Sequence, residues 1–389
     1  MNCIFLSPHF PPQYHRFCRQ LKVAGANALG IGDAPYDELN PAVRESLSEY
    51  YRVDSMANYD ELVRACGYFT HKYGKIDRID SLNEFWLSTE ARLREDFNIY
   101  GLRPGDMAVV RQKSEMKKRF EEVGIPVAPG RVVTSMSDAK RLIREIGGYP
   151  VVAKPDAGVG ALDTFRLDSE DDLKRFFERK PGVDYIIEAF VSGQIHSFDG
   201  LADQSGKPVF LTSHVFSQGI METVNQRLDL SYHSVRRLPA ALQKAGMKCL
   251  EVFPIRERFF HIEFFKTGKD EFTALEVNLR PPGGFTTDMF NYACDIDIYR
   301  VWADLLVKGE NKPAFERKYV CGYVARRENV AYAHTHEEII ERFGGEMCQV
   351  DQIPQVLSGP LGELGYIFRA EKLERLQEII HFIHQTREA

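Results

Sequence analysis

The sequence predicts a multidomain protein that combines α/β and α+β structure. Its 389 residues are enough for two or three domains. Near the start, short apolar runs alternate with amphipathic segments, which is the β-α-β pattern of a parallel sheet. From residue 111 the order changes to helices and to strands that run into glycine-containing loops, and the tail combines two strands with a long helix. These changes of pattern are the basis for the predicted fold class.

Composition and charge argue against several classes of function. Hydrophobic residues make up 44% and charged residues 27% of the chain, which is typical of a soluble globular protein. The net charge of −6 argues against nucleic acid as a partner, because phosphate affinity needs a basic surface. No apolar run approaches the ~18 residues of a membrane span, so no membrane partner is expected. The seven cysteines lack a CxxC spacing, which favours free thiols in a reducing cytoplasm.

The first region, residues 1–110, is predicted to be an α/β domain. The runs NCIFLS, ANALGIG and KIDRIDSL are strand-like, whereas YHRFCRQLKVAG, NYDELVRACGYFTHKYG and EFWLSTEARLREDF are helix-like. The loop SPHFPP follows the first strand at a carboxyl edge, where open α/β sheets place ligands. A turn stiffened by its prolines explains the same loop equally well.

The second region begins with the helix-like run QKSEMKKRFEEVG and leads to the stretch YPVVAKPDAGVGA. The strand VVAK ends in Lys154 and continues into a loop with Gly158 and Gly160. Glycines let backbone N–H groups approach a phosphate closely, and a lysine adds a positive charge for the same phosphate. A bulged hairpin is the alternative, and the GK[ST] signature of a Walker loop is absent from the sequence.

Two glutamates stand inside apolar strand-like runs, Glu263 in HIEFF and Glu276 in FTALEVNLR. Because strand side chains alternate, Glu276, Asn278 and Arg280 are expected on one face and Leu275 on the other. A hairpin turn between the runs would place Glu263 directly opposite Glu276. Opposed carboxylates destabilise a sheet by roughly 0.2–1 kcal/mol, and a divalent cation would remove that penalty. The alternative is a solvated strand face whose acids pair with nearby basic residues.

Five motifs in this order resemble the ATP-grasp superfamily, which includes biotin carboxylase, carbamoyl-phosphate synthetase and D-alanine–D-alanine ligase. They are Lys113 eleven residues before Gly124 in GIPV, then YPVVAKP, IIEAFVSG, HIEFF and EVNLRPPGG. The resemblance implies four regions: a Rossmann-like N-terminal domain (1–110), a small lobe with a lid (111–187), a large lobe with the metal and ATP site (188–310) and a small C-terminal α+β lobe (311–389).

The resemblance also implies a role for each candidate residue. Lys113 and Lys154 would reach the ATP phosphates, and the loop with Gly158 and Gly160 would cover them. Arg280 would act as the catalytic cation for the acyl phosphate, with Lys154 as a second catalytic residue. The expected adenosine contacts are Glu188, Ala189, Phe190 and His196. The expected metal ligands are Glu263, Glu276 and Asn278.

The implied function is an ATP-dependent ligase that uses Mg²⁺, with Mn²⁺ as an alternative metal. Such an enzyme activates a carboxylate as an acyl phosphate and couples it to an amine of an amino acid or small peptide, with release of ADP and phosphate. Two alternatives stay open: an ATP-grasp thiol ligase or kinase, and a catalytically silent nucleotide sensor. The sequence does not identify the substrates or the oligomeric state, for which a homodimer is one option.

Overall fold

The computed structural model describes residues 1–158, 163–217, 229–309 and 313–387, and within these ranges the strands form three sheets. The strands of the first sheet are β1 Asn2–Leu6, β2 Asn27–Gly32, β3 Glu49–Arg52 and β4 Arg78–Asp80. They are parallel, in the order β3-β2-β1-β4. The helices of this region are α1 His15–Val23, α2 Pro41–Ser46, α3 Tyr59–Tyr73 and α4 Leu87–Asp96. The predicted elements are present, and β3 and α2 are additional.

A second sheet follows two helices, α5 Met107–Arg111 and α6 Lys113–Glu122. Its strands are β5 Gly130–Val133, β6 Val151–Pro155, β7 Phe165–Leu167 and β8 Tyr185–Ala189. They are antiparallel, in the order β5-β8-β6-β7, and are called the small sheet below. Two helices accompany it, α7 Met136–Glu145 and α8 Glu170–Arg179. Ser135 and Ser169 begin these helices, because each hydroxyl accepts a backbone N–H from three residues further on.

The third sheet has nine strands and is called the large sheet below. Its first six strands are β9 Gln194–Ala202, β10 Pro208–Thr212, β11 His214–Phe216, β12 Ser231–Ser234, β13 Arg258–Lys266 and β14 Phe272–Asn278. Among its described residues, the same stretch of chain has three helices: α9 Ala240–Val252, α10 Thr286–Cys294 and α11 Ile298–Lys308.

The C-terminal part of the chain extends the large sheet. Its strands are β15 Val320–Arg326, β16 Met347–Gln352 and β17 Leu364–Ala370. Its helices are α12 His336–Phe343, α13 Gln355–Leu361 and α14 Leu373–His384. The strand order β14-β13-β9-β11-β12-β15-β17-β16, with β10 on β9, makes one continuous sheet of both parts. The domain limits drawn from the sequence stay predictions.

Aromatic side chains hold the N-terminal region against the large sheet. Phe17 of α1 is fully buried, and its ring lies 4.6 Å from Tyr299 and 5.2 Å from Trp302 of α11. The same ring contacts Phe259 of β13 at 5.8 Å. Burying such rings removes large apolar areas from water and fixes the two parts relative to each other. No helix in the described part of the chain is long and apolar enough to span a membrane.

Candidate functional site

A cavity of about 470 Å³ lies between the small sheet and the large sheet. Most residues predicted from the sequence line it: Lys113, Lys154, Gly158, Glu188, Ala189, Phe190, Glu263, Glu276, Asn278 and Arg280. Gly160 lies outside the residues that the structure describes. His196 does not line the cavity.

The β13–β14 hairpin supplies the acidic wall of the cavity. Its register pairs Glu263 with Glu276, as the sequence predicted. The strict alternation predicted for β14 is wrong at one position, because the register shifts after Glu263 and leaves Leu275 as an extra residue between Ala274 and Glu276. Leu275 and Glu276 therefore both line the cavity, whereas Val277 is fully buried on the opposite, core side.

Basic side chains flank the two opposed glutamates. The Nζ atom of Lys113 lies 3.8 Å from Oε2 of Glu276, and the Nε2 atom of His261 lies 3.3 Å from Oε1 of Glu263. Burial opposes ionisation of Glu263, but the hydrogen bond from His261 and the charge of Arg280 outweigh it and lower the pKa of the Glu263 carboxyl. An anionic carboxylate is the form that a metal ion or a basic side chain requires.

A buried aspartate, Asp199, contacts His261 on the side of the ring away from Glu263, and sequence reasoning missed it. The Asp199 carboxylate is fully buried and accepts hydrogen bonds from His261 Nδ1 at 2.6 Å, His214 Nδ1 at 2.7 Å and Ser197 Oγ at 2.5 Å. Burial lowers the pKa of His261, but Asp199 reverses this effect and raises it to about 9. Burial raises the pKa of Asp199, but the two histidines outweigh burial and lower this pKa to about 2. Alternation along HSFDGLAD, with polar residues at 197 and 199 on one face, was the available signal.

The small sheet holds a second charged cluster. Glu188 is buried and forms ion pairs with Lys154 and with Lys117, the latter at 2.7 Å between Nζ and Oε2. Burial raises the pKa of Glu188, but the two lysines outweigh it and the net shift is downward. The ammonium of Lys117, a residue of α6, also donates to the Ala128 carbonyl. Two lysines for one carboxylate leave this cluster with an excess positive charge.

Lys113 connects α6 to the loop after β6. Its backbone N–H donates to the Asp156 carbonyl at 2.8 Å, and its Nζ atom lies 3.4 Å from the Gly158 carbonyl. Ser114 donates both its N–H and its hydroxyl to the Asp156 carboxylate at 2.8 Å. These contacts fix the start of the glycine loop beside the Lys113 ammonium.

Arg280 follows the hairpin and lines the cavity. One of its terminal nitrogens donates to the Pro281 carbonyl at 2.8 Å, and the other lies 3.5 Å from Oδ1 of Asn278. Its Nε atom is 3.5 Å from the buried Glu84 carboxylate. Burial raises the pKa of Glu84, and Arg280 only partly counters it. The guanidinium thus reaches the cavity while bound to the N-terminal region on its other side.

The predicted adenosine contacts are only partly brought together. Ala189 and Phe190 line the cavity, but their backbone N–H groups already donate to the carbonyls of Pro129 and Pro150, at 2.8 and 3.2 Å. A contact to adenine would therefore use other backbone groups of this segment.

The prediction for His196 needs correction. The preceding residue, Ile195, lines the cavity, and because strand side chains alternate, His196 points to the other face of β9. There its ring lies edge-on to Phe272 at 5.7 Å, and both ring nitrogens lack a hydrogen-bond partner among the described residues. Burial lowers its pKa to about 4, which keeps the ring neutral. A contact from His196 to ribose is not supported by this placement.

No family model matches the chain. Biotin carboxylase 2 of Bacillus subtilis (strain 168) is 28% identical over 212 residues, which cover 50% of this chain and 46% of that protein. The L-arginine-specific L-amino acid ligase of Bacillus subtilis is 24% identical over 249 residues, 59% of each chain. The crystal structure of an L-amino acid ligase from Bacillus licheniformis superposes with a TM-score of 0.75 at 15% identity, over 98% of this chain and 96% of that chain. The relatives and structural neighbours of this chain are ATP-grasp carboxylate–amine ligases.

The ATP-grasp resemblance seen in the sequence is thereby confirmed as a similarity to ligases of that kind. The mixed α/β architecture matches solved ATP-grasp structures over nearly the full length of the chain. The chain spans about half the length of the curated relatives it matches. The reaction, the substrates and the roles of individual residues are therefore taken up as proposals.

Proposed function

We propose that this protein is an ATP- and Mg²⁺-dependent ligase that joins the carboxylate of a small molecule, of the amino acid or small peptide class, to an amine. One observation carries the proposal: cations suited to phosphates and carboxylates suited to a metal meet in a single cavity. Lys113 from α6 lies 3.8 Å from Glu276 of β14, and Lys154 lines the same cavity from the small sheet. Similarity to amino acid ligases in sequence and fold supports the substrate class.

The donor set on the hairpin fits Mg²⁺. Glu263, Glu276 and Asn278 offer only oxygen atoms, and Mg²⁺ is usually bound by one or two carboxylates together with substrate phosphates and water. In the described part of the chain, no three His, Cys, Asp or Glu side chains form a metal site of their own. A shared protein–nucleotide site agrees with both facts. When bound, the ion would neutralise charge on the transferring phosphate.

The proposed chemistry proceeds through an acyl phosphate. A carboxylate oxygen attacks the γ-phosphorus of ATP, the bond to the β-phosphate oxygen breaks, and ADP is released as the leaving group. The amine nitrogen then attacks the acyl carbon, loses a proton, and expels inorganic phosphate as the new C–N bond forms.

The chain's own residues position these groups and stabilise charge. Lys113 and Lys154 would bind phosphate oxygens, with Lys117 retaining Glu188 when Lys154 turns to the nucleotide. Arg280 would bind the reacting carboxylate and its phosphorylated form, because a guanidinium pairs with planar oxyanions through two parallel hydrogen bonds. The surrounding walls would exclude water, which otherwise hydrolyses an acyl phosphate.

Trapping of the acyl phosphate tests the proposal. The protein is mixed with Mg-ATP, hydroxylamine and pools of carboxylic acids, and hydroxamate and ADP are measured together. Hydroxamate formed in step with ADP supports the ligase. Transfer to coenzyme A in place of an amine would identify a thiol ligase, and a stable phosphorylated product would identify a kinase. Nucleotide binding without ADP formation with any acid would instead identify a silent sensor.

A further inference from the structure

One part of the cavity wall is apolar. It is formed by side chains of β11, β12 and helix α13 and by a residue next to them: Phe216, Leu230, Tyr232, Leu357, Pro360 and Leu361. Gly284, four residues after Arg280, joins this wall to the loop that follows the hairpin. A Cβ atom placed on Gly284 would lie 3.2 Å from Cδ2 of Leu361 and 3.5 Å from the Tyr232 hydroxyl. The apolar wall is therefore continuous with the loop that carries Arg280.

Polar groups of this wall already have partners inside the protein. The hydroxyls of Tyr232 and Thr286 share a hydrogen bond of 2.9 Å, and Thr286 donates to the Gly283 carbonyl at 2.7 Å. The Tyr232 ring stacks on Phe216 with their centroids 5.0 Å apart. These hydroxyls are bound to each other and to the backbone, so the wall presents mainly hydrocarbon to a ligand.

Charge is distributed unevenly along the cavity. In the described lining, the carboxylates belong to Glu188, Glu263 and Glu276, each of which lies beside a lysine or a histidine. Arg280 lies in the loop that Gly284 joins to the apolar wall, and its guanidinium lines the same cavity. A ligand with a carboxylate at one end and a hydrocarbon group at the other would match this order, because it pairs its charge and buries its apolar part. A charged side chain against the wall would lose its hydration without gaining a partner among the described wall residues.

We propose that the substrate whose carboxylate meets Arg280 carries an aliphatic or aromatic side chain, and that this side chain fills the wall formed by Phe216, Leu230, Leu357 and Leu361. The inference rests on the ligase function proposed above and adds the class of the acid. Discrimination by a hydrophobic pocket is modest for each methylene group, about 10- to 200-fold, and accumulates with the area buried.

A panel of single acids tests the inference. L-leucine, L-methionine and L-phenylalanine are compared with L-alanine, L-aspartate, L-lysine and L-arginine, with hydroxylamine as the common acceptor and hydroxamate formation as the readout. We expect kcat/KM for the larger apolar acids to exceed that for each other acid by about tenfold or more. Equal or better use of aspartate, lysine or arginine would overturn the side-chain class and leave the ligase function standing. Absence of hydroxamate with every acid, under conditions where ATP binds, would overturn both.

Two neighbouring residues of α13 provide a matched pair of variants. Leu357 faces the cavity, whereas Val356 is 73% exposed. Leu357→Asp should lower kcat/KM for L-leucine by about tenfold or more and improve lysine relative to leucine, with an unchanged KM for ATP. Val356→Asp adds the same charge on the solvent side and should leave the ranking of acids unchanged. Leu357→Ala, which introduces no charge, should weaken leucine use without favouring lysine and serves if Leu357→Asp fails to fold. An unaltered ranking in both Leu357 variants would overturn the assignment of this wall.

Discussion

The small sheet and the β13–β14 hairpin both carry charged side chains on a strand face, but they balance these charges differently. On the small sheet, Glu188 is held by Lys154 and Lys117, so opposite charges meet directly. On the hairpin, Glu263 and Glu276 face each other across the register, and their basic neighbours stand at the flanks. The first cluster has a surplus of positive charge and the second a surplus of carboxylate oxygens.

This difference suits the two charged faces to different parts of a metal–nucleotide complex. Excess lysine suits the phosphates of a nucleotide, and opposed carboxylates suit the cation that accompanies them. Neither face alone would be a complete site for a metal–nucleotide complex. Lys113 of α6 lines the same cavity as Lys154 and Glu276 and lies 3.8 Å from the Glu276 carboxylate, so it brings a basic side chain to the acidic wall.

The largest effect is expected from removing one of the opposed carboxylates. Glu276→Ala should lower turnover by on the order of 10³-fold or more, because the metal ion that accompanies the nucleotide phosphates would lose an oxygen ligand. The fold should survive, since like charges no longer face each other across the hairpin. Asp270→Ala, in the exposed turn of the same hairpin, is the control. Steady-state ADP release and thermal unfolding check both points; wild-type turnover in Glu276→Ala would contradict the metal assignment.

Variants of Arg280 separate an effect on the catalytic rate from an effect on Mg-ATP affinity. Arg280→Ala should lower kcat by on the order of 10²–10³-fold and leave Mg-ATP affinity unchanged, because the guanidinium lies one pleat beyond Asn278. Arg280→Lys should restore only part of the rate, since an ammonium lacks the planar fork. Arg256→Ala, at an exposed arginine of the loop before β13, is the control. A defect explained wholly by weaker Mg-ATP binding, measured by calorimetry, would refute this role.

A variant of Asp199 tests how much the buried contact between Asp199 and His261 contributes to the stability of the protein. Asp199→Asn should lower the free energy of unfolding by about 3 kcal/mol near neutral pH, because it leaves His261 buried without its anionic partner. The native pKa of Asp199 is about 2, below its usual value of 3.8, so its contribution is present above pH ~4 and is lost as pH falls towards 2. Urea unfolding at several pH values should show the wild type and the variant converging in acid. A constant difference across that range would argue against the pair.

The smallest effect is expected on the small sheet, where a second lysine remains. Lys154→Met should weaken ATP binding by about 10- to 100-fold, the value of one or two charge-assisted hydrogen bonds. Glu188 would keep Lys117 as its partner, so the melting temperature should change little. Lys118→Met, at an exposed lysine of α6, removes the same charge away from the cavity. Calorimetric titration with ATP compares the two; equal affinity in both variants would show that Lys154 does not bind the nucleotide.

Local pattern was sufficient to predict most elements of the fold. The alternation of apolar runs and amphipathic segments predicted the strands and helices of the first region, and the turn between HIEFF and FTALEVNLR predicted the pairing of Glu263 with Glu276. The bulge at Leu275 escaped prediction because an extra residue in one strand changes which side chains share a face without changing the composition. His196 was assigned to ribose from the family resemblance alone, and in the structure its neighbour Ile195 lines the cavity instead, because adjacent strand residues face opposite sides of the sheet.

The sequence by itself determined the elements, the family resemblance and the residue types that could bind phosphate, metal and carboxylate, because these follow from periodicity and from motifs within short stretches of chain. Tertiary structure decided which of these residues share a cavity. Lys113 and Glu276 are 163 positions apart, and only the packing of α6 against β14 brings their charged ends to 3.8 Å. The burial of Asp199 beside His261, and the place of α13 in the cavity wall, likewise depend on contacts between distant segments, which no local pattern specifies.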